Sequence, residues 1–223
     1  MNIKIFKKFI RKDPNFLPNK CFSQNGEDLI LNRLFENKSN GFFVDVGAHH
    51  PVRFSNTYLF YLNGWNGINI DAMPNSMMIF DRTRPRDINI EVGISSQEEK
   101  LTYYKFNEPA LNTFDSFEAE LKNKGPYKII DSVNLYTTTL EKVLKKNLPS
   151  GQEIDFFNID VEGKDFDVLI SNDWNIFRPK FILIEIIRNY HWEVIESSIF
   201  KYLSNIGYKF ISCAYNTAIF QSE

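Results

Sequence analysis

Carboxylates recur at matching points of this chain. Asp45, Asp71, Asp160 and Glu185 close four short apolar runs, and Glu162 stands just beyond Asp160. A single acid in such a place is most often a helix cap or a surface residue. Four in equivalent places imply side chains converging on one rim, where carboxylates need a cation or hydroxyl donors to offset their repulsion. The turn after the first acid narrows the ligand. A dinucleotide fold requires Gly-x-Gly-x-x-Gly, so that bare backbone approaches a pyrophosphate at a helix N-terminus. Here the turn reads Gly47-Ala48-His49-His50-Pro51, with bulky rings in place of the glycines. Asp71, 24 residues after Gly47, still stands where an acid grips ribose hydroxyls. Keeping the ribose and dropping the pyrophosphate points to a nucleoside with a positively charged tail. S-adenosylmethionine has that chemistry, and its sulfonium and ammonium suit an acid-rich rim.

These acids must be positioned by strands. Gly41–Gly47, Ile68–Asp71, Ile88–Val92, Ile154–Asp160 and Phe181–Ile186 read as buried strands, rich in Ile and Phe and bounded by turn residues. Helical stretches stand between them: one starting at Ser23, then Ser55–Leu62, Asn75–Arg82, Thr139–Lys146 and Lys164–Ile170. The alternation predicts a parallel α/β sheet covered on both faces, with ligands at the carboxyl ends of its strands. Tyr208–Ser212 and Thr217–Phe220 are too close for a crossover helix, and predict a closing antiparallel hairpin. Residues 94–138 break the rhythm and read as a substrate-side insertion holding a β-element and a loop.

Composition sets the outer limits. The 223 residues suit one domain, expected over 21–223 behind an N-terminal arm of residues 1–20. A net charge of −2 leaves no field for tracking a nucleic-acid backbone, so no nucleic-acid partner is expected. The longest hydrophobic run, Tyr58–Leu62, is far shorter than the ~20 residues of a membrane span or the ~7–15 of a signal-peptide core. With two distant cysteines, Cys21 and Cys213, this predicts a cytoplasmic protein. The first twelve residues are basic, with Ile3, Phe6, Phe9 and Ile10 at helical spacing. They fit a helix packed on the domain or on a second subunit, and alternatively one lying on an anionic membrane surface.

Seven motifs in order resemble those of FkbM-type S-adenosylmethionine-dependent methyltransferases. They are Gly26-Glu-Asp28, Phe43–Pro51, Ser55-Asn-Thr-Tyr58, Gly64-Trp-Asn-Gly67, Ile70–Pro74, Ile159-Asp-Val-Glu-Gly163 and Ser171-Asn-Asp-Trp174. The resemblance spans about residues 22–187. It implies a class I methyltransferase fold, Rossmann-like and seven-stranded, with an antiparallel last strand. It also implies O-methylation of a sugar, a sugar-nucleotide or a natural-product hydroxyl, commonly in bacterial surface-polysaccharide biosynthesis. Carried over residue by residue, Asp45, Gly47, Ala48 and His49 form the cofactor turn, with His49 where the general motif has its second glycine. Asp71 matches the ribose acid, Ala72 and Met73 one adenine wall, and Gly93, Ile94 and Ser95 the other. Asn158, Asp160 and Glu162 match the motif nearest the transferring methyl, and Ser23, Gln24, Glu27 and Asp28 stand toward the methionine end.

Methyl transfer to a hydroxyl needs the proton removed as the new bond forms. Asp160 or His50 as general base is one solution, with Glu162 beside them. A divalent metal on Asp160 and Glu162, joined by Glu185 or a histidine, is the other. The base without metal is preferred, and no metal ligand is assigned. An NAD-dependent oxidoreductase on a related sheet and a catalytically inactive glycan-binding domain are the competing functions. Among the remaining residues, Trp65 and Trp174 read as core or loop anchors, and Tyr190, His191 and Trp192 as a rim cluster.

Overall fold

The computed structural model describes residues 20–36, 38–186 and 191–223. The basic segment expected to form a helix over residues 1–12 lies outside them, as does Tyr190.

Strand β1 (Phe42–Val46) is buried along its whole length and alternates between two cores. Phe42, Val44 and Val46 pack with Val143, Leu144, Val168, Leu169 and Leu203, which come from helices α5 (Leu140–Asn147), α6 (Asp165–Ile170) and α7 (Ser198–Asn205). Phe43 faces the other way, onto Leu31 of α1 (Glu27–Leu34), Phe60 of α2 (Tyr58–Leu62) and Trp65. Each such fully buried apolar side chain contributes about 1.5–3 kcal/mol. This two-sided burial is why the strands read as continuous apolar runs.

The main sheet has seven strands in the order β3-β2-β1-β7-β8-β10-β9. Strands β2 (Asn66–Asp71), β3 (Ile88–Glu91), β7 (Phe156–Ile159) and β8 (Phe181–Glu185) run parallel to β1, while β10 (Thr217–Ser222) is antiparallel to both β8 and β9 (Tyr208–Ala214). The chain leaves β1 toward β2 and β3, then returns to lay β7 on the opposite side of β1. The strand order therefore reverses between β1 and β7, the place where open α/β sheets bind ligands.

Residues 94–138 hold more order than the sequence predicts. Strands β4 (Gly93–Ile94), β5 (Lys100–Phe106) and β6 (Ile129–Thr138) form a second sheet in the order β4-β6-β5, with helix α4 (Ser116–Lys124) between β5 and β6. Asp115 caps α4, accepting from the amides of Phe117 at 2.8 Å and Glu118 at 2.9 Å. The helix buries only Ala119 and exposes Phe117 and Leu121, so it has no continuous apolar stripe for periodicity to detect. Helix α3 (Met77–Thr83) buries Met77 and Phe80 against Ala48. Among the described residues no helix is long and apolar enough to cross a membrane.

Candidate active site

The site is built around the turn that leaves β1. Gly47 has φ 84°, and a Cβ added there would lie 1.7 Å from the carbonyl oxygen of Asp160. Only glycine lets the ends of β1 and β7 meet this closely. The Gly47 and Ala48 amides donate to the Ile70 carbonyl at 2.9 and 3.0 Å. His49 then takes φ 52°, a left-handed conformation that costs a non-glycine residue about 1–2 kcal/mol. The turn therefore holds a bulky residue in a backbone conformation that glycine adopts without strain.

That conformation points the His49 amide at Asp71, whose Oδ2 accepts it at 2.8 Å while Oδ1 accepts the Met73 amide at 2.7 Å. Each oxygen is thus fixed by one backbone donor and keeps capacity for another. Burial pushes the Asp71 carboxyl up, and the two amides pull against it. Beside Asp71 a narrow slot is lined by Ala72, Val92, Gly93 and Ile94, with Tyr103 and Phe114 from the insertion. Ser95 does not line it: its hydroxyl donates to Glu99.

Asp45 stands one residue before the end of β1 rather than at its end, and it is 2% exposed. It accepts from the Thr57 hydroxyl at 2.7 Å and from Asn158 Nδ2 at 2.8 Å, while Asn158 Oδ1 accepts from Asn56 at 2.8 Å. Below them Arg84, wholly buried, donates to Asp87 at 2.7 Å and to Thr57 at 3.0 Å. Burial raises the Asp45 carboxyl, opposed by Thr57, Arg84 and Asn158. The Ser55–Tyr58 segment thus acts through Asn56 and Thr57, fixing the two polar side chains that face the ligand crevice.

Asp160, Glu162 and Glu185 gather at the carboxyl ends of β7 and β8, each offering an oxygen within 4.8 Å of the other two. Burial first, and then Glu162, Asp165 and Asp45, push Asp160 well above the usual carboxylate range. Burial with the neighbouring acids raises Glu185 to about 10. Glu162 is raised by burial but held by Lys122, whose ammonium lies 2.5 Å from Oε2. Glu185 Oε2 is sealed from solvent and, among the described residues, meets no hydrogen-bond donor.

These acids form part of the wall of a cavity of about 510 Å³, which shares Gly47, His49, Asp160 and Glu162 with the slot. Gln24 and Glu27 reach this cavity, whereas Ser23 and Asp28 bond to each other at 2.8 Å outside it. His50 is not brought to either space. Its Nδ1 accepts the amides of Val52 at 3.1 Å and Arg53 at 3.0 Å, so it holds the turn. His49 lines both, and burial together with Arg53 and His50 lowers it to about 4. Sequence reasoning missed Lys122 and Tyr127 from the insertion, and the bidentate Arg53–Glu108 pair, with both oxygens 2.9 Å from the guanidinium. Of these, only the placement of 94–138 on the substrate side gave a signal. Trp65 and Trp174 are core residues, as expected.

No curated protein matches the chain. The Methyltransferase FkbM domain matches residues 45–210, which take in the cofactor turn, Asp71, the insertion and the acid cluster. The seven-stranded, mostly parallel sheet with its C-terminal antiparallel hairpin fits that domain. The chain therefore belongs to the FkbM family and is a methyltransferase.

Proposed function

We propose that this methyltransferase uses S-adenosylmethionine to methylate a hydroxyl of a sugar or sugar-nucleotide, in the cytoplasm and in the service of surface-polysaccharide biosynthesis. The observation that carries the cofactor reading is the cradle at Gly47, His49 and Asp71. Asp71 is fixed by two backbone amides with acceptor capacity left for a vicinal diol. The slot beside it has apolar walls at Ala72, Val92 and Ile94 for a flat base. On the other side of Gly47, the acidic side chains of Glu27 and Asp45 line the cavity where a cationic tail would lie. The residues present therefore fit S-adenosylmethionine, which when bound supplies an electrophilic methyl group on a sulfonium.

The chain's own groups then do three things. Asp71 and the Gly47 turn hold the nucleoside, and the Asn56–Asn158–Asp45 chain of hydrogen bonds keeps the floor of the crevice rigid. Asp160 takes the proton of the acceptor hydroxyl as its oxygen bonds to the methyl carbon and the carbon–sulfur bond breaks, its electron pair passing to sulfur. A carboxyl raised by burial is a strong acceptor once a neighbouring cation has ionised it. The sugar reading is supported by the cavity mouth, where the exposed rings of Phe54, Tyr127 and Tyr215 offer apolar faces above a polar floor.

Calorimetry is expected to give saturable binding of S-adenosylmethionine and S-adenosylhomocysteine, and none of NAD. Incubation with a panel of sugar-nucleotides is expected to release S-adenosylhomocysteine. Binding of NAD in place of S-adenosylmethionine would overturn the cofactor reading. Cofactor binding with no product from any sugar or sugar-nucleotide would overturn the acceptor class.

A further inference from the structure

We propose that Lys122 is a positioning residue for methyl transfer: from α4 of the insertion, its ammonium pins the Glu162 carboxylate and supplies the positive charge beside which Asp160 gives up its proton. The link to catalysis rests on the reading of Asp160 as the base. The contact between Lys122 and the acids does not.

A lysine in the last turn of a helix ordinarily complements the macrodipole and stays in water. Lys122 stands in the last turn of α4, yet its side chain is only 15% exposed and its ammonium lies 2.5 Å from Glu162 Oε2. Lys124, two residues on, is exposed. The inward direction follows from how the insertion sits on the loop after β7. Thr113, just before α4, donates its hydroxyl to the Glu162 carbonyl at 2.7 Å. Gly163 has φ 106°, and a Cβ added there would lie 2.8 Å from Glu118 Cγ, so α4 packs directly on this loop. From the other side Asp165 accepts the Val161 amide at 3.0 Å and the Gly163 amide at 3.2 Å. The loop that carries Asp160 and Glu162 is thus clamped between α6 and the insertion.

The charge balance at that point gives the lysine its role. Asp160 is faced by Asp45 from β1, Glu162 from its own loop, Asp165 from α6 and Glu185 from β8, while His49 lines the same wall from the turn after β1. Glu118 of α4 faces Glu162. Carboxyls this close repel one another's charge, and burial adds to the effect, so the set by itself favours protonated acids, which accept no proton. Lys122 is the counterweight, favouring the charged form of Asp160, Glu162 and Glu185 alike. An insertion on the acceptor side thereby brings the cation that makes the base competent.

The test uses the full chain with ¹³C in the aspartate side-chain carboxyls, titrated by NMR, the Asp160 signal being assigned by its loss in Asp160→Asn. In Lys122→Met the Asp160 titration is expected to move up by about one pH unit or more, the usual effect of losing an opposite charge a few ångströms away. Lys122→Arg, which keeps the charge, is expected to return it close to the wild-type position. Lys122→Gln is titrated beside the methionine variant, so that a fold lost to the apolar side chain does not decide the outcome. An Asp160 titration that stays in place in both uncharged variants overturns the proposal, and so does an arginine variant that behaves like them. This arm needs neither cofactor nor acceptor, so it decides even where no sugar is methylated. Turnover is read as S-adenosylhomocysteine released with the sugar-nucleotide panel. A base must be ionised, so the rate climbs with pH toward the Asp160 titration. On that limb Lys122→Met is expected to lose about tenfold for each pH unit by which the titration moves, and to recover at higher pH. A loss of the same size at every pH marks a merely structural contact and overturns the positioning role. If the titration moves while Asp160→Asn turns over normally, the base reading falls and the action of Lys122 on Asp160 stands.

Discussion

At the scale of single residues, two neighbours in one turn carry opposite constraints. Gly47→Ala puts a methyl group 1.7 Å from a backbone carbonyl oxygen that cannot rotate away. The ends of β1 and β7 must then part, and a loss of at least about 2 kcal/mol in stability is expected, with cofactor binding lost in calorimetry. His49→Gly removes the left-handed strain while raising the entropy of the unfolded chain. Its melting temperature is expected to correspond to a change within about 1 kcal/mol. Because the contact to Asp71 is made by the His49 amide, the glycine variant should keep cofactor affinity; a large loss would show that the ring itself binds. Asp160→Asn keeps the shape and removes the proton acceptor. Single-turnover rates are expected to fall by about 10²–10⁴-fold while S-adenosylmethionine affinity is retained. Near-normal turnover would remove Asp160 from that role.

At the scale of elements, the polar layer beneath the crevice matters more than any one contact. Arg84, at the end of α3, joins Asp87 to Thr57, and through Thr57 to Asp45 in β1. Its guanidinium lies 5.1 Å from the Phe43 ring centre and 5.3 Å from that of Tyr61, so it is enclosed by aromatic side chains as well. Arg84→Met leaves Asp87 buried without its cation, and a loss of about 3–5 kcal/mol in denaturant unfolding is expected. Arg84→Met combined with Asp87→Asn should recover part of that loss, since the orphaned charge goes too. A strictly additive double variant would refute the coupling. This layer was illegible in the sequence, because Arg84 and Asp87 sit in a polar stretch that looks like any exposed helix end. The strands were legible because burial on both faces leaves uninterrupted Ile and Phe runs. Helix α4 was not, since capping and contacts rather than an apolar stripe hold it. The acids at the strand ends were readable as a set, but which of them stay unpaired depends on Lys122, which arrives from an insertion that pattern reading leaves blank.

At the scale of the whole molecule, placing acids at the rim of one sheet sets stability against function. Glu185, raised by burial and by Asp160, Glu162 and Asp165 to about 10, holds its proton in the folded chain at neutral pH. The unfolded chain releases that proton above about pH 4.3, the ordinary glutamate value. Between those limits the folded state binds more protons than the unfolded state, so this group's contribution to stability falls as pH rises. Asp165, raised by burial to about 7, adds a slope of the same sign that ends near neutrality. A variant is therefore needed to isolate Glu185. Glu185→Gln keeps the side-chain shape and removes the titration. In EDTA its melting temperature should move progressively above that of the wild type as pH is raised from about 5 to about 8. Two curves that stay parallel across that range would show that Glu185 ionises freely in the folded chain. A buried carboxyl at the rim of the ligand crevice that lowers the stability of the folded chain as pH rises is what a site kept for function at a cost in stability contains.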